Sequence, residues 1–146
     1  MDQRVICAAE AVDDETAGHV EAIVNRYNLE VMGSDWQPLN VVLRLPGGEV
    51  VGGLLGATEW GWLHVEMLAI EEPHRGKGYG SKLLEAAERE ATARGCELAY
   101  LSTFSFQARP FYEKHGYEVF GALECVGPHA KYWMRKWLTG ARKEPW

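Results

Sequence analysis

Cysteine is scarce in this chain: Cys7, Cys96 and Cys125 are its three copies, and no two have CxxC spacing. That excludes a disulfide framework and makes a zinc site a poor reading. Small, mostly buried thiols in a reducing cytoplasm are expected instead. Long apolar runs are also missing, and Met1-Asp2-Gln3-Arg4 begins no charged-then-apolar leader, so neither a membrane span nor export is expected. Positive charge is in short supply. A formal net charge of −6 speaks against a nucleic-acid partner, which calls for a basic face, and mildly favours a cationic small molecule or basic peptide. The late bases Lys131, Arg135, Lys136, Arg142 and Lys143 are spread among aromatics and read as solvated positions. His19, His74, His115 and His129 lack metal-ligand spacing, so no metal is expected.

What is present suits one compact α+β domain over residues 1–146, with 47% hydrophobic and 25% charged residues, no internal repeat and no linker. Val5 to Ala9 reads as a first strand. Asp13-Asp14-Glu15-Thr16 offers cap chemistry for a helix to about Asn28, with Val20, Ile23, Val24 and Tyr27 on one face. Leu39 to Leu45 and Glu49 to Glu59 flank the turn Pro46-Gly47-Gly48, and Gly52-Gly53 marks a bulge or close backbone approach. Trp62 to Ile70 is a further strand. A helix from Gly78 to Arg94 follows, stopped by Gly95, and then a strand from Glu97 to Thr103 that should lie parallel to Trp62–Ile70. A short helix from about Ala108 to His115 and two strands, Tyr117 to Glu124 and Lys131 to Leu138, complete the reading.

The junction between strand Trp62–Ile70 and the next helix carries the chemistry. Ile70-Glu-Glu-Pro-His-Arg75-Gly-Lys-Gly-Tyr-Gly80-Ser-Lys-Leu-Leu84 is a strand end, an acidic turn, alternating glycines and a helix start. Glycines let backbone N–H groups turn toward one point, and a helix start adds unpaired donors and partial positive charge. Arg75 and Lys77 reinforce that preference for an anion. The nucleotide P-loop is excluded because Lys77 is followed by Gly78, and the dinucleotide fingerprint because Gly76, Gly78 and Gly80 alternate. A phosphate or pyrophosphate cradle remains. With the aromatic segment about thirty residues on, it suggests a transferase using a coenzyme A thioester.

Arg75-Gly-Lys-Gly-Tyr-Gly80 resembles the R/Q-x-x-G-x-G/A signature of the GNAT superfamily of N-acetyltransferases. Upstream, Leu68-Ala69-Ile70 stands in the preceding strand. Downstream, Ala108-Arg-Pro-Phe111-Tyr112-Glu-Lys114-His-Gly116-Tyr117 is similar to the superfamily's second segment, with Ser105 where Asn often stands. The close resemblance covers roughly residues 60 to 121. It implies the acyl-CoA N-acyltransferase fold: a mixed sheet of about six or seven strands, splayed between the fourth and fifth, with helices on both faces. It also implies acetyl coenzyme A as co-substrate. Leu68, Ala69 and Ile70 would pair with its pantetheine arm, and Gly76, Lys77, Gly78, Tyr79, Gly80 and Ser81 would hold its pyrophosphate beside Arg75. Ser105, Ala108, Phe111 and Lys114 would complete its site.

In this reading the acceptor is a primary amine of a small molecule or peptide that attacks the thioester directly, and Tyr112 is the general acid for the departing sulfur. His64 and Glu66 lie two apart, share a strand face and share parity with Leu68. His64 falls where histone-acetylating members carry a glutamate base. A histidine titrates near neutrality, whereas Glu66 suits either a base or a holder of the substrate cation. Trp36, Trp60, Trp62 and Phe104 suit the wall of an acceptor pocket. Two other readings stay open: a coenzyme A-binding sensor of the same fold without catalysis, and a different acyl donor. No membrane partner is expected, and unpaired edge strands leave room for a homodimer.

Overall fold

A computed structural model describes residues 6–140. In chain order it has α1 (Asp14–Met32), β1 (Gln37–Arg44), β2 (Val50–Glu59), β3 (Trp62–Ile70), a 3-10 turn (Glu72–His74), α2 (Tyr79–Ala93), β4 (Leu98–Phe104), α3 (Arg109–Lys114), β5 (Glu118–Glu124) and β6 (Ala130–Trp137). The strands form one mixed sheet in the order β1-β2-β3-β4-β6-β5. Two compact units divide the chain, one up to Ser34 and one from Asp35.

The first unit contains α1. Asp13 caps it by accepting from the Thr16 amide at 2.6 Å, and that bond holds the Asp13 carboxyl below its usual range. The helix runs past Asn28 to Met32, because the first residue able to stop it is Gly33, left-handed at φ 70° and donating to the Leu29 carbonyl. Ahead of the helix, residues 6–9 form no strand; Val5 lies outside the described residues. A run of small side chains from Cys7 to Ala9 offers little surface to secure a sheet edge. Strand numbering therefore starts one later than the sequence suggests. The opening expected between the fourth and fifth strands falls between β3 and β4.

In the second unit the core forms where α2 crosses β1, β2 and β3. Leu83, Leu84, Ala87 and Ala91 recur at helical spacing and are buried against Leu54, Leu63, Val65, Ala99, Leu101 and Met134. Glu88, on the same helix, is buried with its carboxylate gripped by Lys136 Nζ of β6 at 2.8 and 2.9 Å. Of the three thiols, Cys96 is buried, Cys125 half-buried and Cys7 exposed. No helix among the described residues is long and apolar enough to cross a membrane.

One irregularity shapes the site. β2 and β3 pair in register from Glu59–Trp62 to Gly56–Val65, then resume at Leu55–Met67, leaving Glu66 without a partner on β2. This is a β-bulge, and it reverses the side-chain alternation. Trp62, His64 and Glu66 face away from the core, while beyond the bulge Leu68 and Ile70 turn toward it and Met67 and Ala69 are exposed. Leu68 therefore does not share a face with His64 and Glu66, contrary to simple period-2 counting.

Gly56 permits this geometry. A Cβ there would collide with the His64 carbonyl oxygen, and its own N–H bonds the Asn40 side chain at 3.3 Å. The pair Gly52-Gly53 plays a related part: a Cβ at Gly52 would lie 2.8 Å from the Ala69 oxygen, and one at Gly53 2.9 Å from the Val41 oxygen. Gly56→Ala is expected to destabilise the protein by about 2 kcal/mol or more, since backbone must move to admit the methyl group. Urea unfolding measures this, and a stability equal to the parent protein's would show that the bulge has other room to relax.

Candidate active site

Two hollows are lined by successive parts of β3. The parallel ladder between β3 and β4 has only three pairs, Trp62–Leu98, Leu63–Ala99 and His64–Tyr100. β4 meanwhile pairs along its whole length with β6. Past His64 no strand among the described residues pairs with the β3 edge that faces β4, and the sheet opens there.

The first hollow, of about 440 Å³, occupies that opening. Its walls are the β3 end at Leu68, Ala69 and Ile70, the loop and helix start at Arg75, Gly76, Gly78, Tyr79, Gly80 and Ser81, and the α3 side at Ala108, Phe111, Tyr112 and Lys114. Gly76 and Gly78 adopt left-handed backbone at φ 73° and 82°, which a Cβ would strain. Gly80 faces the Phe111 ring, and a Cβ there would sit 3.4 Å from it. Lys82 is the first residue of α2 whose amide closes a helical bond, to the Gly78 carbonyl. Among the described residues, the amides from Gly76 to Ser81 have no protein acceptor. A helix start with that many free donors is a ready anion site.

Arg75 has a structural task as well. Its Nε donates to the Ile70 carbonyl at 2.7 Å, tying the loop to the strand end. The Ser81 hydroxyl meets His115 Nε2 at 2.8 Å, linking α2 to the end of α3. Tyr112 is buried, packed edge-on against Phe111 and Tyr117, and burial raises its phenol pKa above the ordinary value.

The second hollow, of about 110 Å³, lies at the closed end of the opening. His64 and Glu66 line it with Trp36, Ala57, Glu59, Trp60, Trp62 and Tyr100. The His64 ring stacks on Tyr100, centroids 4.6 Å apart and planes within 1°, and its Nδ1 lies 3.9 Å from Glu66 Oε1. Burial, and then the negative charges of Glu59 and Glu66, raise the Tyr100 phenol pKa.

Most of the residues singled out from sequence thus gather around these two hollows. Lys77 and Ser105 do not line them. Ser105 instead clasps the β5–β6 loop: its amide donates to the Ala130 carbonyl and its hydroxyl accepts from the Ala130 amide. Phe104 also stands apart, stacked on Phe106 with Lys131 over its ring. Sequence reasoning missed Glu59 and Tyr100. Glu59 is legible as the hairpin partner of Trp62, but Tyr100 is not, because its place beside His64 depends on the β3–β4 register. A larger hollow of about 660 Å³ lies along the later part of α2, but its Glu88 and Lys136 are engaged with each other.

Comparison with known proteins agrees with this geometry. The family model described as "Acetyltransferase (GNAT) family" matches residues 7–117. An acetyltransferase of Agrobacterium fabrum is 37% identical over 131 residues, covering 89% of this chain and 93% of that protein. The blasticidin-S acetyltransferase of Streptomyces morookaense is 40% identical over 82 residues, 56% of this chain and 60% of that protein. Among solved structures, an acetyltransferase from Bacillus cereus superposes with a TM-score of 0.80 at 31% identity, covering 90% of this chain and 97% of that one. The chain belongs to the acetyltransferase (GNAT) family and is an acetyltransferase.

Proposed function

We propose that this acetyltransferase takes its acetyl group from acetyl coenzyme A and passes it to a primary amine by direct attack. The observation that carries the reading is the set of free amides from Gly76 to Ser81 at one end of a groove that reaches the buried Tyr112. The residues suit the coenzyme part by part. Free amides at a helix start, with Arg75 beside them, suit a diphosphate. The β3 edge at Leu68–Ile70, left open where the ladder with β4 ends, suits the amides of an extended pantetheine arm, which would bind as an added strand. The coenzyme supplies the acetyl group already activated as a thioester.

The protein's own part is proton handling and positioning. An amine attacks only when neutral, so a group near it must take its proton, and the His64–Glu66 pair in the second hollow supports that role for one of them. Tyr112 supplies a proton to the departing sulfur. Its raised pKa keeps the phenol neutral, which is the form that donates. Acetylation of a panel of primary amines, followed by thiol release, tests the reading. Coenzyme A binding without turnover of any amine would contradict it.

Two outcomes bear on Tyr112. Tyr112→Phe is expected to lower kcat by about 10²-fold or more while the calorimetric affinity for coenzyme A changes little. An unchanged kcat would remove Tyr112 from the reaction. In the parent protein a general acid stays competent below its pKa. Because burial moves that pKa upward, the alkaline fall in kcat should lie above the ordinary phenol value of about 10. A fall centred near pH 8 in the parent protein, lost in Tyr112→Phe, would show the opposite shift.

A further inference from the structure

The hollow around His64 is built from tryptophans that the core does not use. Trp36 and Trp62 are 58% and 49% exposed, although their large apolar rings favour burial. Trp60 is placed at evident cost. With Gly61 it makes the two-residue turn between β2 and β3, and both residues have positive φ, 51° and 84°. Asn-Gly or Gly-Gly is the usual sequence for such a turn, and a bulky side chain there is strained. The Trp60 amide is anchored to Asp35 Oδ1 at 2.9 Å, and Asp35 directly precedes Trp36. One carboxylate therefore fixes the backbone beneath two of the indoles.

The remaining walls set the polarity. Glu59 and Glu66 are the hollow's two carboxylates, and neither Lys nor Arg lines it. Edge-on against Trp62 at 6.2 Å and stacked on His64, Tyr100 completes the aromatic surface. Aromatic faces with nearby carboxylates attract cations, and a flat, weakly hydrated cation gains more from them than a compact ammonium. At about 110 Å³ the space equals roughly four waters of liquid volume, suited to a head group of guanidinium size.

We propose that this hollow binds a guanidinium group of the acceptor, distinct from the amine that is acetylated, so that the preferred substrate carries a primary amine and a flat cation on one short molecule. The proposal rests on the acetyl-transfer reading for the fate of the amine, but not for binding of the cation. Trp36, Trp60, Trp62 and Tyr100 supply the ring faces, and Glu59 supplies a hydrogen-bond acceptor, leaving His64 or Glu66 to the amine. They act as specificity residues.

Agmatine, pentylamine and phenethylamine serve as probes of one amine joined to a guanidinium, to a methyl and to a neutral ring. Calorimetry without coenzyme should show agmatine bound at least about tenfold more tightly than either of the others. Trp60→Asn, a change that suits the left-handed turn and so protects folding, and Glu59→Gln should each weaken agmatine binding by about tenfold. Both should lower the agmatine-to-pentylamine ratio of kcat/KM. Equal affinity for agmatine and pentylamine, preference for phenethylamine, or no effect of either variant would overturn the proposal. Acetylation of amines without agmatine preference would sink the pocket and spare the enzyme. Selective agmatine binding with no amine acetylated would do the reverse.

Discussion

β3 has a partner on both sides only as far as His64. Among the described residues, no strand pairs with its β4-facing edge beyond that point. An open strand edge carries donors and acceptors that water or an extended ligand can satisfy. The bulge at Glu66 belongs to the same feature. By reversing the alternation it sends His64 and Glu66 to one face and Leu68 and Ile70 to the other, so the residues proposed for the acceptor and for the coenzyme are separated on one strand.

The two ends of the groove use different physics. At the α2 end the backbone dominates: Gly76 and Gly78 are left-handed, the amides from Gly76 to Ser81 have no protein acceptor among the described residues, and the helix start favours negative charge. At the α3 end it falls on burial. Tyr112 sits among Phe111 and Tyr117, and loss of solvent holds its proton in place. The Ser81–His115 contact links the start of α2 to the residue that follows α3, and so ties the two sides of the groove together. Neither arrangement requires a net positive protein, which is why a chain of formal charge −6 can present an anion site.

Sequence disclosed the site better than its surroundings. Of the alternating glycines, Gly76 and Gly78 adopt positive φ, while Gly80 lies inside α2. The strand Trp62–Ile70 is legible to the residue, since Gly61 and Glu71-Glu72-Pro73 bound it chemically. What stayed hidden depends on registers between distant segments. The bulge at Glu66 follows from how Gly56 meets His64, and Tyr100 joins the acceptor wall through a three-pair ladder. Ser105 is a different case. Its position in a motif suggests contact with the coenzyme, and its hydroxyl accepts from the Ala130 amide. Where the first strand was expected, residues 6–9 remain unpaired, because an apolar run does not by itself find an edge.

The central claim is that free amides from Gly76 to Ser81 receive the diphosphate of the coenzyme. Amide-resolved NMR during titration with coenzyme A tests it most directly. The account predicts large downfield proton shifts at Gly76, Gly78 and Gly80, saturating together with the calorimetric isotherm. Saturable coenzyme binding that leaves those amides unmoved, with the largest shifts elsewhere on the sheet, would contradict it.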